Sequence, residues 1–340
     1  MGDYSIFIGT VGFGLHISRD GGGSWAGAAS SEPPPSAVGG LEGNVRALAV
    51  YPDNPHRLLA GTDIWGLYRS DDNGQIWEPL PSAAEGFETP RAPVEIWSLA
   101  IDPEDTGTIY VGTRPDGFRT RDGGTTWDRL TFTDRDAPLW PPRTTVIVVD
   151  PRDHRTVWAG VEVDGVHRSR DGGDTWERRA AVGPELFYND VHGMGIRNGT
   201  STIVHTTSPM GFATSTDDGA SWRVHQFAPL DDQSGHSYCR CMIINPNDPD
   251  MMFVGTGNSI PGITGAVRRT RDGGASWETL SMPEQPNSVM YWLAMHRDLP
   301  GVVVGFSLLG QVYASDDNGD SWRKLDKEFG QIRSVAVTPN

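Results

Sequence analysis

The sequence predicts an all-β fold, a single seven-bladed β-propeller whose blades are four-stranded antiparallel sheets. An eight-residue motif recurs seven times at intervals of about 45–55 residues, a period typical of repeat architectures. Four short strand patterns occupy a full interval, and the two ends of the chain supply complementary parts of one blade. We therefore expect one propeller domain over residues 1–340.

The repeat motif is Ser/Thr-x-Asp-x-Gly-x-x-Trp. An Asp-x-Gly step favours a tight turn, because the carboxylate accepts backbone N–H groups and glycine adopts a positive φ. The tryptophan is expected to bury its ring beside the turn. We predict a structural role for each copy and no catalytic role for its aspartate. The copies are Ser18–Trp25, Ser70–Trp77, Thr120–Trp127, Ser169–Trp176, Ser215–Trp222, Thr270–Trp277 and Ser315–Trp322.

One repeat shows how a blade is built. Val45–Val50 and Arg57–Thr62 are predicted strands separated by a proline-containing turn, and Leu67–Ser70 is a third strand that leads into the repeat motif. The motif then turns the chain into a fourth strand, Ile76–Leu80. Four short strands in one repeat correspond to one propeller blade.

The ends of the chain predict how the ring closes. Ile6–Thr10 matches the second strand of a blade, whereas Ile332–Pro339 matches the first. The C-terminal segment is therefore predicted to be the inner strand of the N-terminal blade. This pairing closes the ring and removes its sheet edges.

Composition argues against several classes of partner. The formal net charge of −16 disfavours binding to nucleic acid and to anionic membrane surfaces. No segment approaches the ~20 apolar residues that cross a membrane, and the N-terminus lacks the basic and apolar regions of a signal peptide. We expect a cytoplasmic protein, and a monomer because a closed ring needs no partner for its stability.

The two cysteines, Cys239 and Cys241, lie two residues apart in one predicted strand. Side chains at i and i+2 point to the same face and do not suit a disulfide. Reduced core thiols are expected, and a metal-binding or redox pair stays open as the alternative.

The first strands of the seven blades can be aligned on the residue that ends them. We call the seven residues that lie six positions before this residue, one in each blade, the ring column. The seven residues that lie two positions before the ring column are the outer column. Between them lies an apolar column, so the period of two predicts that both polar columns share one rim. The ring column is Arg46, Trp97, Thr145, His192, Arg240, Tyr291 and Arg333. The outer column is Asn44, Glu95, Arg143, Asp190, Tyr238, Val289 and Gln331.

The ring column is predicted to line the mouth of the central channel, because the first strand of a blade is innermost. The alternative is packing between blades, with arginine stacked on Trp97 or paired with Glu95. Guanidinium groups bind carboxylate or phosphate, and aromatic walls suit a small ligand; Trp140 is placed near the same rim. The predicted ligand-binding residues are Arg46, Trp65, Trp97, Arg143, Arg240, Tyr291, Arg333, His236 and Glu162.

His192 is the favoured acid–base residue, with His205 on the neighbouring strand as the group that orients it. A satisfied interior histidine is the alternative. The predicted catalytic set is His192, Glu95, Asp190 and Tyr238. The carboxylates that would temper the arginine charge, or act as acid or base if burial raises a pKa, are Glu95, Asp190, Glu162 and Asp63.

No cofactor is expected. A divalent metal held by His192, His205 and His236 with Glu162 or Asp190 stays open as an alternative, although no His-x-x-x-His or Cys-x-x-Cys spacing is present.

The repeat motif resembles the Asp-box, or BNR, repeat of β-propellers, and the resemblance covers essentially the whole chain. Families that share it include sialidases, xyloglucan-cleaving glycosidases, sortilin-type receptors and photosystem II assembly factors. The resemblance implies the fold, whereas function differs among these families.

No catalytic residue is transferred from these families. Sialidases pair an arginine triad with a tyrosine and a carboxylate, and the chain offers such groups at the predicted mouth. It lacks their Arg-Ile-Pro motif, and seven blades are predicted where sialidases have six. Xyloglucan-cleaving relatives use two propellers that face a long cleft, whereas one propeller is predicted here. The assembly factors match in length and blade count.

The predicted function is binding of a small anionic or sugar-like molecule at the channel mouth, with hydrolase or lyase chemistry favoured there. The alternative is a non-catalytic scaffold for protein interaction or assembly, whose rim tryptophans form a docking surface.

Overall fold

The structure is a computed structural model that describes residues 2–29, 41–63, 66–80, 95–132, 141–197 and 202–340. The described strands form seven four-stranded antiparallel sheets. The all-β, seven-bladed prediction is therefore confirmed. Within the described part of the chain, no helix has both the length and the apolar character that crossing a membrane requires.

The blades follow one another along the chain. The first three strands belong to blade 1: β1 (Tyr4–Thr10), β2 (Leu15–Ser18) and β3 (Ala26–Gly27). Blade 2 contains β4 (Val45–Val50), β5 (Leu58–Thr62), β6 (Leu67–Ser70) and β7 (Glu78–Pro79). Blade 3 contains β8 (Ser98–Ile101), β9 (Ile109–Gly112), β10 (Gly117–Thr120) and β11 (Asp128–Leu130). Blade 4 contains β12 (Thr144–Val149), β13 (Val157–Val161), β14 (Gly165–Ser169) and β15 (Glu177–Arg178).

A short 3-10 helix, Leu186–Asn189, precedes blade 5. Blade 5 contains β16 (Gly193–Arg197), β17 (Ile203–Ser208), β18 (Gly211–Ser215) and β19 (Arg223–His225). Blade 6 contains β20 (Tyr238–Asn245), β21 (Asp248–Gly257), β22 (Gly265–Thr270) and β23 (Glu278–Thr279). Blade 7 contains β24 (Met290–Ala294), β25 (Val303–Ser307), β26 (Val312–Ser315) and β27 (Arg323–Lys324). The last strand is β28 (Ile332–Pro339).

The ring closes between the two ends of the chain, as predicted. β28 pairs antiparallel with β1, with Ile6 opposite Val337 and Ile8 opposite Val335. β28 thus supplies the inner strand of blade 1. Hydrophobic clusters lie between successive blades, and the cluster between blades 7 and 1 joins residues from both ends of the chain.

The turns of the repeat motif have the predicted chemistry. Asp20 Oδ1 accepts hydrogen bonds from the amides of Gly23 and Ser24 at 2.8 and 2.9 Å. The Ser18 hydroxyl accepts one from Gly22, whose φ is +102°. Hydrogen bonds from Ser24 and Ser18 lower the pKa of Asp20 to about 2. The turns lie between the third and fourth strands, at the end of each blade opposite the start of its inner strand.

Burial of the motif tryptophans is uneven. Trp77 and Trp322 are buried, whereas Trp25 and Trp176 are partly exposed. The fourth strand of blade 2 is also shorter than predicted, because the Ile76 amide still donates to Asp72 in the turn. The outermost strand β7 pairs with β6 only through Glu78 and Pro79.

Both cysteines lie buried in β20, and neither forms a disulfide. The prediction of reduced thiols is confirmed, and burial raises the pKa of the Cys241 thiol to about 12.

Candidate functional site

β-Bulges project five members of the ring column into the channel. In β4, Val45 and Ala47 pair with the consecutive residues Thr62 and Gly61, so Arg46 is the extra residue of the strand. Such a bulge re-aims the side chain it carries. The same register shift occurs in four other inner strands, where the extra residue without a partner on the second strand is Thr145, Arg240, Tyr291 or Arg333.

Six of the seven members of the ring column line the mouth of a central channel of about 520 Å³. The lining members are Arg46, Trp97, Thr145, Arg240, Tyr291 and Arg333. His192 is not part of this lining and is buried behind it, only 6% exposed.

The two polar columns meet at one rim, as the period of two predicts. Trp97 Nε1 donates to Glu95 at 2.8 Å, and Arg333 donates to Gln331 at 3.2 Å. The apolar column between them is buried at every position, and its apolar residues are only 0 to 2% exposed. Its members are Val45, Ile96, Thr144, Val191, Cys239, Met290 and Ile332.

Trp97 lies between two guanidinium groups from neighbouring blades. The guanidinium carbons of Arg46 and Arg143 lie 4.5 and 4.6 Å from the ring centre. Cation–π contacts of this kind are attractive. Pocket lining and packing between blades, proposed above as alternatives, therefore occur together at Trp97.

Each of these arginines also has a carboxylate partner. Arg46 forms an ion pair with Asp63, and Arg143 Nε lies 2.9 Å from Glu162. Asp63 and Glu162 occupy equivalent positions, directly after the second strand of blades 2 and 4. The predicted binding set omits Asp63, although its position after the second strand, equivalent to that of Glu162, could have predicted its pairing with Arg46. Glu95, by contrast, hydrogen-bonds to Trp97 rather than to an arginine.

Glu162 and Asp190 are carboxyl groups close enough to interact electrostatically, and their pKa values shift in opposite directions. Burial raises the pKa of Glu162, and the Asp190 charge adds to this, against the opposing effect of Arg143. The pKa of Asp190 is lowered because the charges of His192, Arg240 and Arg143 outweigh its burial. Divergent pKa values in neighbouring groups are typical of acid and base partners.

His192 connects Asp190 to Tyr238. Its Nε2 lies 3.2 Å from Asp190 Oδ2, and its Nδ1 lies 3.3 Å from the Tyr238 hydroxyl. Burial raises the pKa of Tyr238, so the phenol stays protonated. The structure thus brings three of the four predicted catalytic residues together, while Glu95 lies with Trp97.

Tyr291 also lies between two arginines. Its hydroxyl accepts hydrogen bonds from Arg240 and Arg333 at 2.7 and 3.1 Å. Burial of the phenol is outweighed by the two guanidinium charges, which bring the pKa of Tyr291 down to about 8. Within the described residues, neither Arg240 nor Arg333 has a carboxylate partner.

His205 does not orient His192, contrary to the prediction. Its Nδ1 lies 2.9 Å from the Thr214 hydroxyl, and its ring stacks on Phe212. It pairs with Gly195, further along the strand from His192, and burial lowers its pKa to about 3. The error arose because sequence adjacency of strands does not fix which residues stand opposite each other.

The remaining predicted residues lie apart from these contacts. His236 is partly exposed before β20, and no hydrogen bond joins it to the ring column among the described residues. Trp65 and Trp140 lie outside the described residues. No group of three or more histidine, cysteine, aspartate or glutamate side chains suited to a metal ion occurs in the described part of the chain.

Sequence comparison finds similarity to xyloglucan-cleaving enzymes. The "Probable oligoxyloglucan-reducing end-specific xyloglucanase" of Neosartorya fischeri is 28% identical over 258 residues, which cover 73% of this chain and 28% of that protein. Other curated relatives are also named xyloglucanases, and the chain spans 28% to 40% of the length of these relatives. No protein-family model matches the chain.

Solved structures share the propeller fold. The GH74 enzyme of Niastella koreensis superposes with a TM-score of 0.64 at 14% identity, covering 93% of this chain and 46% of that one. YCF48 bound to a D1 peptide gives 0.55 at 18% identity, covering 82% and 80%. The chain is a seven-bladed β-propeller. These likenesses establish the fold.

Proposed function

We propose that the protein is a sugar-acting hydrolase that binds an anionic saccharide at the channel mouth. The observation that carries this proposal is the pair of electrostatically interacting carboxyl groups, Glu162 and Asp190, placed at a rim that also carries arginines and Trp97. The sequence similarity to xyloglucanases supports a sugar substrate.

The two carboxyl groups suit the two roles that glycoside hydrolysis requires. Glu162, with its raised pKa, is the general acid that protonates the leaving oxygen. Asp190, ionised at neutral pH, activates the attacking water or attacks the sugar itself. His192 contacts one oxygen of Asp190 and in this proposal acts as a positioning residue. Its own catalytic role stays a prediction.

The aromatic and cationic groups would bind the sugar. Trp97 offers an indole plane held in place by two arginines and by Glu95. Sugar rings stack on such apolar planes, while Arg143 can donate to an acidic substituent.

The test is release of reducing ends from a panel of neutral and uronate-containing oligosaccharides. In Asp190→Asn and Glu162→Gln, kcat is expected to fall by roughly 10²–10⁴-fold. Asp250→Asn is the matched control, because Asp250 pairs with Arg197 away from the mouth and is half exposed. Unchanged kcat in both mouth variants, or no cleavage of any saccharide by the wild type, would contradict the proposal.

A scaffold function is the second candidate, favoured by exposed apolar side chains on loops between second and third strands. Phe13, Ile263 and Leu309 are 70%, 79% and 38% exposed in blades 1, 6 and 7. These consecutive blades place the three side chains on the mouth side of the ring. An apolar arc of this kind favours protein docking.

The scaffold candidate is tested by co-purification of a stoichiometric partner. Replacing Phe13, Ile263 and Leu309 by serine is expected to abolish retention of that partner. Ile76→Ser is the control, because Ile76 is 53% exposed but lies in a repeat-motif turn on the opposite side. Equal loss in both variants would exclude the arc as the docking surface.

A further inference from the structure

A belt of hydrophobic side chains lines the channel behind the mouth. The residues two positions after the ring column all line it, and all are hydrophobic. They are Leu48, Leu99, Ile147, Met194, Met242, Leu293 and Val335. Leu48 and Leu99 are only partly buried, so hydrocarbon surface remains open inside the channel.

The hydroxyl groups in this part of the lining are already occupied. Ser98 donates to the Thr144 carbonyl at 3.0 Å, and Ser334 donates to the Val45 carbonyl at 3.2 Å. Thr145 donates to the Gly160 carbonyl at 3.1 Å. An ordered water needs two to four polar partners, which these side chains do not offer. These side chains therefore leave no free hydroxyl for a ligand, and the hydrophobic part of the lining favours an apolar body.

One sector of the mouth, in contrast, carries two arginines that form no ion pair with a carboxylate among the described residues. Arg46 and Arg143 have Asp63 and Glu162 as partners. Arg240 and Arg333 share the Tyr291 hydroxyl instead, and they also donate to the His192 carbonyl and to the Gln331 side chain, respectively. Among the described residues no carboxylate forms an ion pair with either, although the charge of Arg240 acts on Asp190. Two guanidinium groups on one neutral hydroxyl repel each other, and Arg240 is only 6% exposed. An anion at this position would offset both charges.

We propose that the central channel binds an amphipathic carboxylic acid, with its carboxylate on Arg333 and Arg240 and its hydrocarbon body in the channel. The volume of about 520 Å³ lies within the usual range of small-ligand pockets, roughly 300–1,000 Å³. The site goes beyond the proposed hydrolase, because it uses Arg240, Arg333 and the channel behind them rather than Glu162 and Asp190.

Calorimetric titration of the wild type with octanoate, octan-1-ol and acetate tests the two halves of the site. Octanoate is expected to bind at least about 100-fold more tightly than acetate, because each buried methylene contributes about 0.8 kcal/mol. It is expected to bind about tenfold more tightly than octan-1-ol, because hydrogen bonds to charged groups contribute about 1.5–3 kcal/mol. Equal binding of octanoate and acetate, or of octanoate and octan-1-ol, would overturn the proposal, as would no binding of octanoate.

Variants locate the binding in the channel. Arg333→Gln is expected to weaken octanoate about tenfold and to leave octan-1-ol unchanged. Leu48→Trp, which fills the channel, is expected to weaken both about tenfold or more. Arg170→Gln is the control, because Arg170 is 65% exposed and pairs with Asp218 on the outside. Full octanoate binding in Leu48→Trp would place the ligand elsewhere. Binding is measured without turnover, so its result is independent of the hydrolase proposal.

Discussion

Trp97 and Tyr291 occupy opposite sectors of the channel mouth, and each contacts two arginines of the flanking blades. Around Trp97 the arginine charges are offset by Asp63 and Glu162. Around Tyr291 the arginines donate to the phenol, to Gln331 and to the His192 carbonyl, and neither forms an ion pair with a carboxylate among the described residues. The same arrangement of side chains is therefore neutralised in one sector and positively charged in the other. A repeat architecture can thus place a structural contact and a binding site at equivalent positions.

The largest effect is expected when the neutralised sector is broken. Arg46→Gln leaves the Asp63 carboxylate, which is 13% exposed, without its cation, and the free energy of unfolding should fall by about 3 kcal/mol. Urea denaturation measures this change. Arg170→Gln removes an exposed ion pair and should cost no more than about 1 kcal/mol. Equal losses in the two variants would show that Asp63 does not need Arg46.

A smaller effect is expected from the titration of Tyr291. Its pKa of about 8 in the folded protein lies below the value of about 10 for an unfolded chain. The unfolded state therefore holds the proton more strongly between these values, and stability should rise with pH from 8 to 10 by about 2 kcal/mol. Lowering the pH through 8 removes this contribution.

Near-ultraviolet phenolate absorbance and urea denaturation along the pH series measure this titration. Tyr291→Phe should abolish both the early phenolate and the rise in stability. The signal is separable, because burial raises the pKa of Tyr110 and of Tyr313 to about 12. A variant that retains the early phenolate would show that another tyrosine titrates there.

The smallest effect is expected from the charged sector. Arg333→Gln removes one of two like charges and leaves no carboxylate unpaired among the described residues, so unfolding free energy should change by less than about 1 kcal/mol. Denaturation of this variant beside Arg46→Gln measures the contrast directly. A loss as large as that of Arg46→Gln would mean that Arg333 has a structural role equal to that of Arg46.

The fold was predictable because the repeat motif marks the same turn in each blade. The side chains of Asp20 and Ser18 fix that turn through local hydrogen bonds, and local chemistry is readable from sequence. Closure by β28 followed from the complementary patterns at the two ends. The exact length of the outer strands did not follow, because Ile76 belongs to the turn although its pattern is that of a strand.

The site was only partly predictable. The alternation of polar and apolar residues located the ring column, but a bulge at Arg46 or Tyr291 leaves no mark in such a pattern. The pairing of Arg46 with Asp63 depends on how closely a loop approaches the inner strand. His205 was placed wrongly for a related reason, since its contacts with Thr214 depend on register.

The position of Arg333 on β28 couples ligand binding to folding. β28 joins β1 only when the ring is complete, so Arg333 reaches the Tyr291 hydroxyl, which Arg240 also contacts, only in the closed molecule. A ligand that needs both arginines then binds the closed ring and not the opened one. By mass action such a ligand stabilises the pairing of the first and last strands. Dissociation of β28 from β1 would in turn release the ligand.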